Sequence, residues 1–279
     1  MYYKDQKIIL ATKHKKENVI KPVFEKNLEC HICVPHDYDT DLFGTFSGEI
    51  PRKGSAFETL ILKAKKAAEE FGYQYSISSE GTFGPHPQMY FCPADTELMA
   101  LVDLENDLVI TEYELTTQTN FNHIDISIND NFDDFLKTVK FPSHGIIVRM
   151  LNVENEIIEK GVQDYNRLNE IIKKSFEYSS TIRLETDMRA MMNPLRMNTI
   201  RILAEKLVKR VQQLCPQCQA LGFGKVSTEG YLNCIYCGTQ TELYKSIVLS
   251  CLKCEYKTYH NRKDGKEFSE QTYCPNCNP

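Results

Sequence analysis

Four Cys-x-x-Cys pairs, Cys215/Cys218, Cys234/Cys237, Cys251/Cys254 and Cys274/Cys277, take eight of the eleven cysteines into the last stretch of the chain. Each such turn aims two thiolates at one point, and a tetrahedral zinc ion needs four, so the pairs must meet two by two. Within successive halves the pairs stand 15 and 19 residues apart. At that spacing two knuckles can close one sulfur cage, and two tandem zinc ribbons are expected over residues 215–279. Spacing alone leaves open a cross-braced pairing, first with third and second with fourth, and leaves open iron in place of zinc. Disulfides are the competing use of the same residues, but they belong mainly to secreted chains, and Met1 to Lys7 is polar and charged, unlike a signal peptide. A tail this short can hardly build two apolar cores unaided, so metal would supply much of its folding energy, on the order of 10 kcal/mol per site. Phe223 with Val226, and Tyr256 with Tyr259, are available as small cores between the knuckles. Cys30 and Cys33 form a fifth pair, but Leu28 to Val34 alternates like a strand and would point them to opposite faces; these two and Cys92 are read as structural.

The remainder of the 279 residues, 42% hydrophobic and 25% charged, has room for one sizeable domain. No apolar run approaches the roughly 20 residues of a membrane span, so no membrane partner and a cytoplasmic location are expected. A net charge of −5 argues against a general nucleic-acid coat, and from Gln212 onward seven Lys or Arg barely exceed six Asp or Glu. Arg183 to Val211 differs, with seven basic residues against three acidic ones. Positive charge is concentrated just before the cysteines.

Lys7 to Thr12 reads as a buried first strand opening an α/β unit, followed by a helix that Pro22 would kink or delay. Ser55 and Glu58 form a capping box for a helix over Ser55 to Phe71, with Gly72 as its stop. Tyr73 to Ser78 reads as a strand running into an open turn, Ser79 to Pro87, that holds two Gly and two Pro. Leu98 to Val102 and Leu108 to Tyr113 resemble a hairpin; His123 to Ile128 and Gly145 to Met150 read as further strands around a helix near Phe132 to Val139. Asn193 and Pro194 start a long helix whose face is Ile200, Leu203, Leu207, Val211 and Leu214. The expected organisation is an α/β domain with a mixed sheet over 1–182, a basic motif and connecting helix over 183–214, and the zinc-ribbon domain over 215–279.

Polar clusters mark candidate chemistry at His14 to Glu17, Asp39 to Gly54, Ser79 to Pro87 and Thr186 to Met197. In open α/β sheets ligands bind at strand ends. Glu80, Asp39, Asp41 and Glu49 are the candidate catalytic carboxylates, suited to Mg2+ or Mn2+ held jointly with substrate phosphates. Thr12, His14, Arg52, Lys63, Arg189 and Arg196 are the candidate substrate-binding residues, the last at a helix N-terminus whose N–H groups would favour an anion. For each residue singly, a surface charge or a structural ion pair is the competing reading. His86 and His144 would act as acid or base, or fix their loops.

At DTD-x-FGTFSGE, SEGTFGPHP, FPSHG and TDMRA-x-x-NP-x-RM, followed by the paired cysteines and a terminal CPNCNP, the chain closely resembles an uncharacterised bacterial domain-of-unknown-function family over nearly its full length. Residues 7–84 also resemble the opening of the inosine triphosphate pyrophosphatase-like superfamily. That resemblance implies a mixed-sheet α/β fold and Mg2+-dependent cleavage of nucleoside triphosphates. Ala11-Thr12-Lys13-His14 matches its phosphate-binding turn, Thr59 to Ala64 its helix with Lys63, and Ser79-Glu80-Gly81 its acidic turn. The chain departs from it at Glu17, where that superfamily has Lys, and in carrying Glu80 alone where two acidic residues are usual.

The expected function is therefore a metal-dependent hydrolase of a nucleotide or related phosphoanhydride or phosphoester, with structural zinc at the eight cysteines. The alternative is a non-catalytic nucleotide sensor, or a binder of nucleic acid or protein through the ribbons. A tail that caps an oligomer interface is the third possibility.

Overall fold

A computed structural model describes residues 2–35, 38, 54–151 and 158–279. It divides into two compact units, Met1–Val208 and Lys209–Pro279.

In the first unit β1 (Lys7–Ala11), β2 (His31–Cys33), β3 (Tyr75–Pro85), β4 (Pro93–Asp103) and β5 (Leu108–Thr116) form a mixed sheet in the order β2-β1-β3-β4-β5. β1 runs parallel to both neighbours, and β3, β4 and β5 are antiparallel. β1 is apolar after Lys7, and Ile8 to Ala11 are buried, as expected of a strand covered on both faces. α1 (Glu17–Leu28) links β1 to β2 and α2 (Ala56–Phe71) precedes β3. The connections of β1 and β3 leave in opposite directions, so the carboxyl end of β1, which lies beside Ser78 of β3, marks a topological switch point, where open α/β sheets place ligands.

Register decides which residues meet there. Alternation puts Ser78 and Glu80 on the face covered by α2, where the Ser78 hydroxyl donates to the Leu60 carbonyl. Ser79, Gly81 and Phe83 point to the opposite face, together with their partners Met99, Glu97 and Asp95. On that face lies α5 (Pro194–Val211), tied to β4 and β5 by Arg196–Glu97 and Lys206–Glu114.

A second, antiparallel sheet orders β6 (His123–Ile126), β9 (Ile182–Thr186), β7 (Ile146–Met150) and β8 (Ile158–Val162). Its core joins Ile146, Val148, Ile182 and Leu184 to Leu136 of α3 (Asp133–Thr138) and Leu168 and Ile172 of α4 (Tyr165–Ser175).

Several expectations change. The turn expected over Ser79 to Pro87 is strand as far as Pro85, paired residue for residue with β4 to Pro85–Pro93. Pro22 neither delays nor ends α1, which runs through it; the bond it forgoes is to Asn18, whose exposure lets water replace the donor. Leu28 closes α1 instead of opening a strand, and Leu214 lies beyond α5 and is exposed. β9 crosses the boundary expected at 182/183, so residues 183–208 belong to the first unit. The capping box of α2 and its Gly72 stop are as expected. No helix among the described residues is long and apolar enough to cross a membrane.

In the second unit β10 (Gly224–Asn233), β11 (Gln240–Ser250) and β12 (Lys257–Asn261) form an antiparallel sheet. Phe223 packs on Tyr256 with ring centroids 5.8 Å apart and on Cys215 and Cys251. Val226 and Tyr259, expected to share such cores, are exposed.

Candidate functional site

The sheet of the second unit fixes how the cysteines pair. β10 starts just after the first pair and β11 ends just before the third, and the register Gly224–Ser250 brings those pairs together at one end of the hairpin. The second pair lies in the β10–β11 turn at the other end. β12 carries the chain back along β11, and Ser269 then bonds beside Asn233 and Ile235, delivering the fourth pair to the second. The groups are Cys215, Cys218, Cys251, Cys254 and Cys234, Cys237, Cys274, Cys277. Of the two pairings that spacing left open, the cross-braced one is found; consecutive cages do not form.

Sulfur positions fit the metal. Cys215–Cys254 and Cys218–Cys251 are 3.7 and 3.6 Å apart, Cys234–Cys277 and Cys237–Cys274 are 4.0 and 3.4 Å. Four sulfurs at about 2.3 Å from zinc would stand about 3.8 Å from each other, whereas a disulfide needs about 2.05 Å. The backbone N–H groups of Lys253 and Cys254 both donate to Cys251 Sγ at 3.3 Å, orienting a thiolate as outer hydrogen bonds do around metals. The two four-cysteine groups fit two structural zinc sites. Cys30, Cys33 and Cys92 are free thiols outside both groups.

In the first unit the switch point gathers charge. Thr12 follows β1 and is buried, its hydroxyl donating to the Lys13 carbonyl at 3.3 Å. His14 and Lys15 both adopt left-handed backbone, with φ of 67° and 60°, a conformation that costs side-chain-bearing residues of order 1 kcal/mol each. That turn drives Lys16 inward, to 5% exposure, with Nζ 3.1 Å from Ser79 Oγ. On the other face Lys63 donates to the Ser79 carbonyl at 2.9 Å and forms an ion pair with Glu80.

Arg196 is 1% exposed. Its guanidinium donates to Glu97 and to the Met188 carbonyl and lies over the Phe83 ring, 5.1 Å from the centroid. Asp95 and Glu97, two residues apart on β4, are almost wholly buried, and Asp95 Oδ1 and Glu97 Oε2 have no hydrogen-bond partner among the described residues. Burial, reinforced by Glu97, pushes the Asp95 carboxyl up to about 8. Burial, with the repulsion of Arg196 and Lys63, brings Lys16 down to about 7. Oppositely perturbed groups in one buried cluster occur at functional centres and in structural ion-pair networks alike.

Gly81 makes this arrangement possible. A Cβ there would lie 2.6 Å from both Arg196 Nη2 and Glu97 Oε1. These atoms belong to a buried ion pair that cannot swing aside, so Gly81→Ala should cost about 2 kcal/mol and lower the melting temperature by several degrees, measured by calorimetry.

Other expected site residues are placed differently. The N–H groups at the start of α5 are not open to an anion: Leu195 N donates to His144 Nε2, Arg196 N to Asn193 Oδ1 and Met197 N to the Asn193 carbonyl, while Pro194 has no N–H. His144 thus caps a helix, and burial lowers its pKa below the ordinary imidazole value. His86 accepts from Gln88 N and Met89 N and fixes its turn. Arg189 forks onto buried Asp187. The basic stretch 183–211 is compensated, with Arg183 on Asp125, Arg201 on Glu205 and Lys206 on Glu114. Asp39, Asp41, Glu49 and Arg52 lie outside the described residues. Among the described residues no carboxylates join in a group of three able to hold Mg2+ or Mn2+; the two four-cysteine groups are the sets found. Sequence reasoning marked the clusters that hold Lys16 and Ser79 but gave neither residue a role, and it missed Asp95 and Glu97. The alternation of β4 would have put Asp95 and Glu97 together, but nothing in the pattern showed that face to be covered.

No curated protein matches the chain. The family model described as Domain of unknown function (DUF6671) matches residues 63–279, from α2 through both four-cysteine groups. A match over that share of the molecule makes the chain a member of the DUF6671 family.

Proposed function

We propose that the first unit binds a phosphorylated small molecule of the nucleotide class at the β1–β3 switch point and hydrolyses a phosphoanhydride or phosphoester bond in it. The observation that carries this reading is that Lys16 and Ser79 on one face of β3, and Lys63 and Glu80 on the other, lie beside the carboxyl end of β1. Lysines held in a water-poor site stabilise charge developing on phosphoryl oxygens, and Glu80, paired with Lys63 on the α2 face, would hold that lysine in place. Mg2+ or Mn2+ would enter with the substrate phosphates. The resemblance of residues 7–84 to the inosine triphosphate pyrophosphatase-like superfamily implies the same chemistry. Zinc would be structural, since four thiolates leave no open coordination position.

A second reading, nucleotide sensing without turnover, has one observation in its favour: Glu80 and Glu97 are each already engaged by a cation, Lys63 and Arg196. In it the cysteine-rich unit would bind nucleic acid or protein. Incubating the zinc-loaded protein with canonical and modified nucleotides, with and without Mg2+ or Mn2+, and following phosphate and pyrophosphate release separates the two. Turnover that falls at least about 100-fold in Glu80→Gln, with zinc content unchanged, is the expected result. Nucleotide binding without turnover would replace it with the sensor.

A further inference from the structure

Lys16 is buried, and among the described residues no carboxylate is in contact with it. Its one hydrogen-bond partner among the described residues is the Ser79 hydroxyl, although an ammonium carries three donors. Of the neighbouring carboxylates Glu80 is committed to Lys63 and Glu97 to Arg196, and Asp95, although it feels the charge of Lys16, forms no ion pair with it. A buried ammonium so poorly compensated costs several kcal/mol relative to an apolar side chain, and the turn that inserts it holds two consecutive residues in left-handed backbone. A structural hydrogen bond alone gives no return for either cost. A neutral amine facing a hydroxyl does, because it can accept that proton.

We propose that Ser79 is a nucleophile and Lys16 its general base, so that hydrolysis at this site proceeds through a covalent phosphoserine. The inference rests on the phosphoester or phosphoanhydride reading of the same site. Lys63 holds the nucleophile's own carbonyl at 2.9 Å, fixing the strand from which the hydroxyl projects. β1 ends at Ala11, opposite Ser78, so Ser79 is the first residue of β3 past the end of that strand.

The chemistry balances with the residues present. Lys16 Nζ takes the hydroxyl proton as Ser79 Oγ bonds to phosphorus. The bond from phosphorus to the departing oxygen breaks, and its electron pair leaves with that oxygen, which takes the proton from the Lys16 ammonium. Water then attacks phosphorus and gives its proton to Lys16. The bond from phosphorus to Ser79 Oγ breaks, and Lys16 returns the proton to Ser79. One water is consumed and no electrons are exchanged.

Burial, the first cause, and the charges of Arg196 and Lys63 bring Lys16 to about 7, against the opposing pull of Glu97 and Glu80; Asp95, on the same face, is itself brought up to about 8. Near neutral pH the amine is therefore available as a base, and Arg could not replace it, since guanidinium does not deprotonate.

An alkyl fluorophosphonate, a neutral phosphorus electrophile with fluoride as leaving group, tests this on the full-length zinc-loaded protein without a known substrate. The expected result is one adduct per chain, mapped by mass spectrometry to Ser79, with a labelling rate that rises with pH to half its maximum near 7. Ser79→Ala should abolish the adduct. Lys16→Met should slow labelling by a factor of about 100 or more, and Lys16→Arg should not restore it. All three variants are checked for two bound zinc ions and a cooperative melt. Absence of label at Ser79, or equal labelling in Lys16→Met, overturns the inference. Nucleotide turnover that persists in Ser79→Ala overturns it while leaving the hydrolase reading intact. Lysine-dependent labelling without nucleotide turnover supports the pair and removes the nucleotide as its substrate.

Discussion

Cys218→Ser combined with Cys237→Ser should strip the protein of both zinc ions, whereas Cys218→Ser combined with Cys251→Ser should remove only one. The first cage joins the knuckles on either side of the β10–β11 hairpin and the second joins the knuckle in its turn to the one after β12, so Cys218 and Cys251 share a site and Cys218 and Cys237 do not. Consecutive cages would give the reverse result. Zinc per chain, by mass spectrometry under non-denaturing conditions or by optical titration of released metal, reads the difference directly. The structural cost should be large in both variants. A four-thiolate zinc site contributes on the order of 10 kcal/mol, and the apolar cluster around the first site, Phe223 with Cys215 and Cys251, is built on the ligands themselves. Loss of both ions should leave β10 to β12 unfolded, seen as collapse of amide protection from Gly224 to Asn261. Equal zinc loss in the two variants would contradict the pairing.

The second large effect is on stability in the first unit. Lys16→Met should stabilise it by on the order of 4 kcal/mol at pH 6, and the gain should fade as pH rises toward 10. Lys16 is held at about 7 in the folded protein against 10.5 ordinarily. Between those values the unfolded chain binds one more proton than the folded one, so stability increases with pH. The burden of the buried ammonium is thus complete below pH 7 and gone above about 10.5. Asp95 has the opposite sign. Its carboxyl, brought to about 8 from 3.8, stays protonated when folded, so stability falls as pH rises from about 4 to 8, and Asp95→Asn should remove that fall. Urea unfolding of the three proteins at several pH values measures both slopes. A Lys16→Met protein less stable than the parent at pH 6 would show that the ammonium is well compensated.

What the chain disclosed beforehand follows from how local each signal is. The eight ligands were legible because Cys-x-x-Cys encodes its geometry within four residues; their partners were not, because partnership depends on the register of a three-stranded sheet. The capping box of α2 was likewise visible, being one turn long. Ser79 to Pro85 looked like an open turn because Gly and Pro usually mark one, yet Gly81 is there to let a guanidinium and a carboxylate approach the strand. Arg196 was recognised as a helix-start cation, but charge pattern does not tell a solvated residue from one buried against Glu97 on a strand 99 residues away. Lys16 was overlooked because Glu17 occupies the position at which the resembling superfamily has its lysine, and only the left-handed pair His14–Lys15 turns the residue after it inward. β8, β9 and α4 carried no signal strong enough to separate a second sheet from the first.

The interleaving of the cysteines also sets a problem of timing. During synthesis the first and second knuckles emerge before the third exists, and for that interval the four thiols of Cys215, Cys218, Cys234 and Cys237 are the complete ligand set of a zinc site that the native protein never uses. Metal captured then would be held by the wrong partners until exchanged, so the growing chain has a built-in trap that a consecutive arrangement would lack. Escape requires β11 to close onto β10 and deliver Cys251 and Cys254 to the first knuckle, so closure of the hairpin and exchange of the metal have to proceed together.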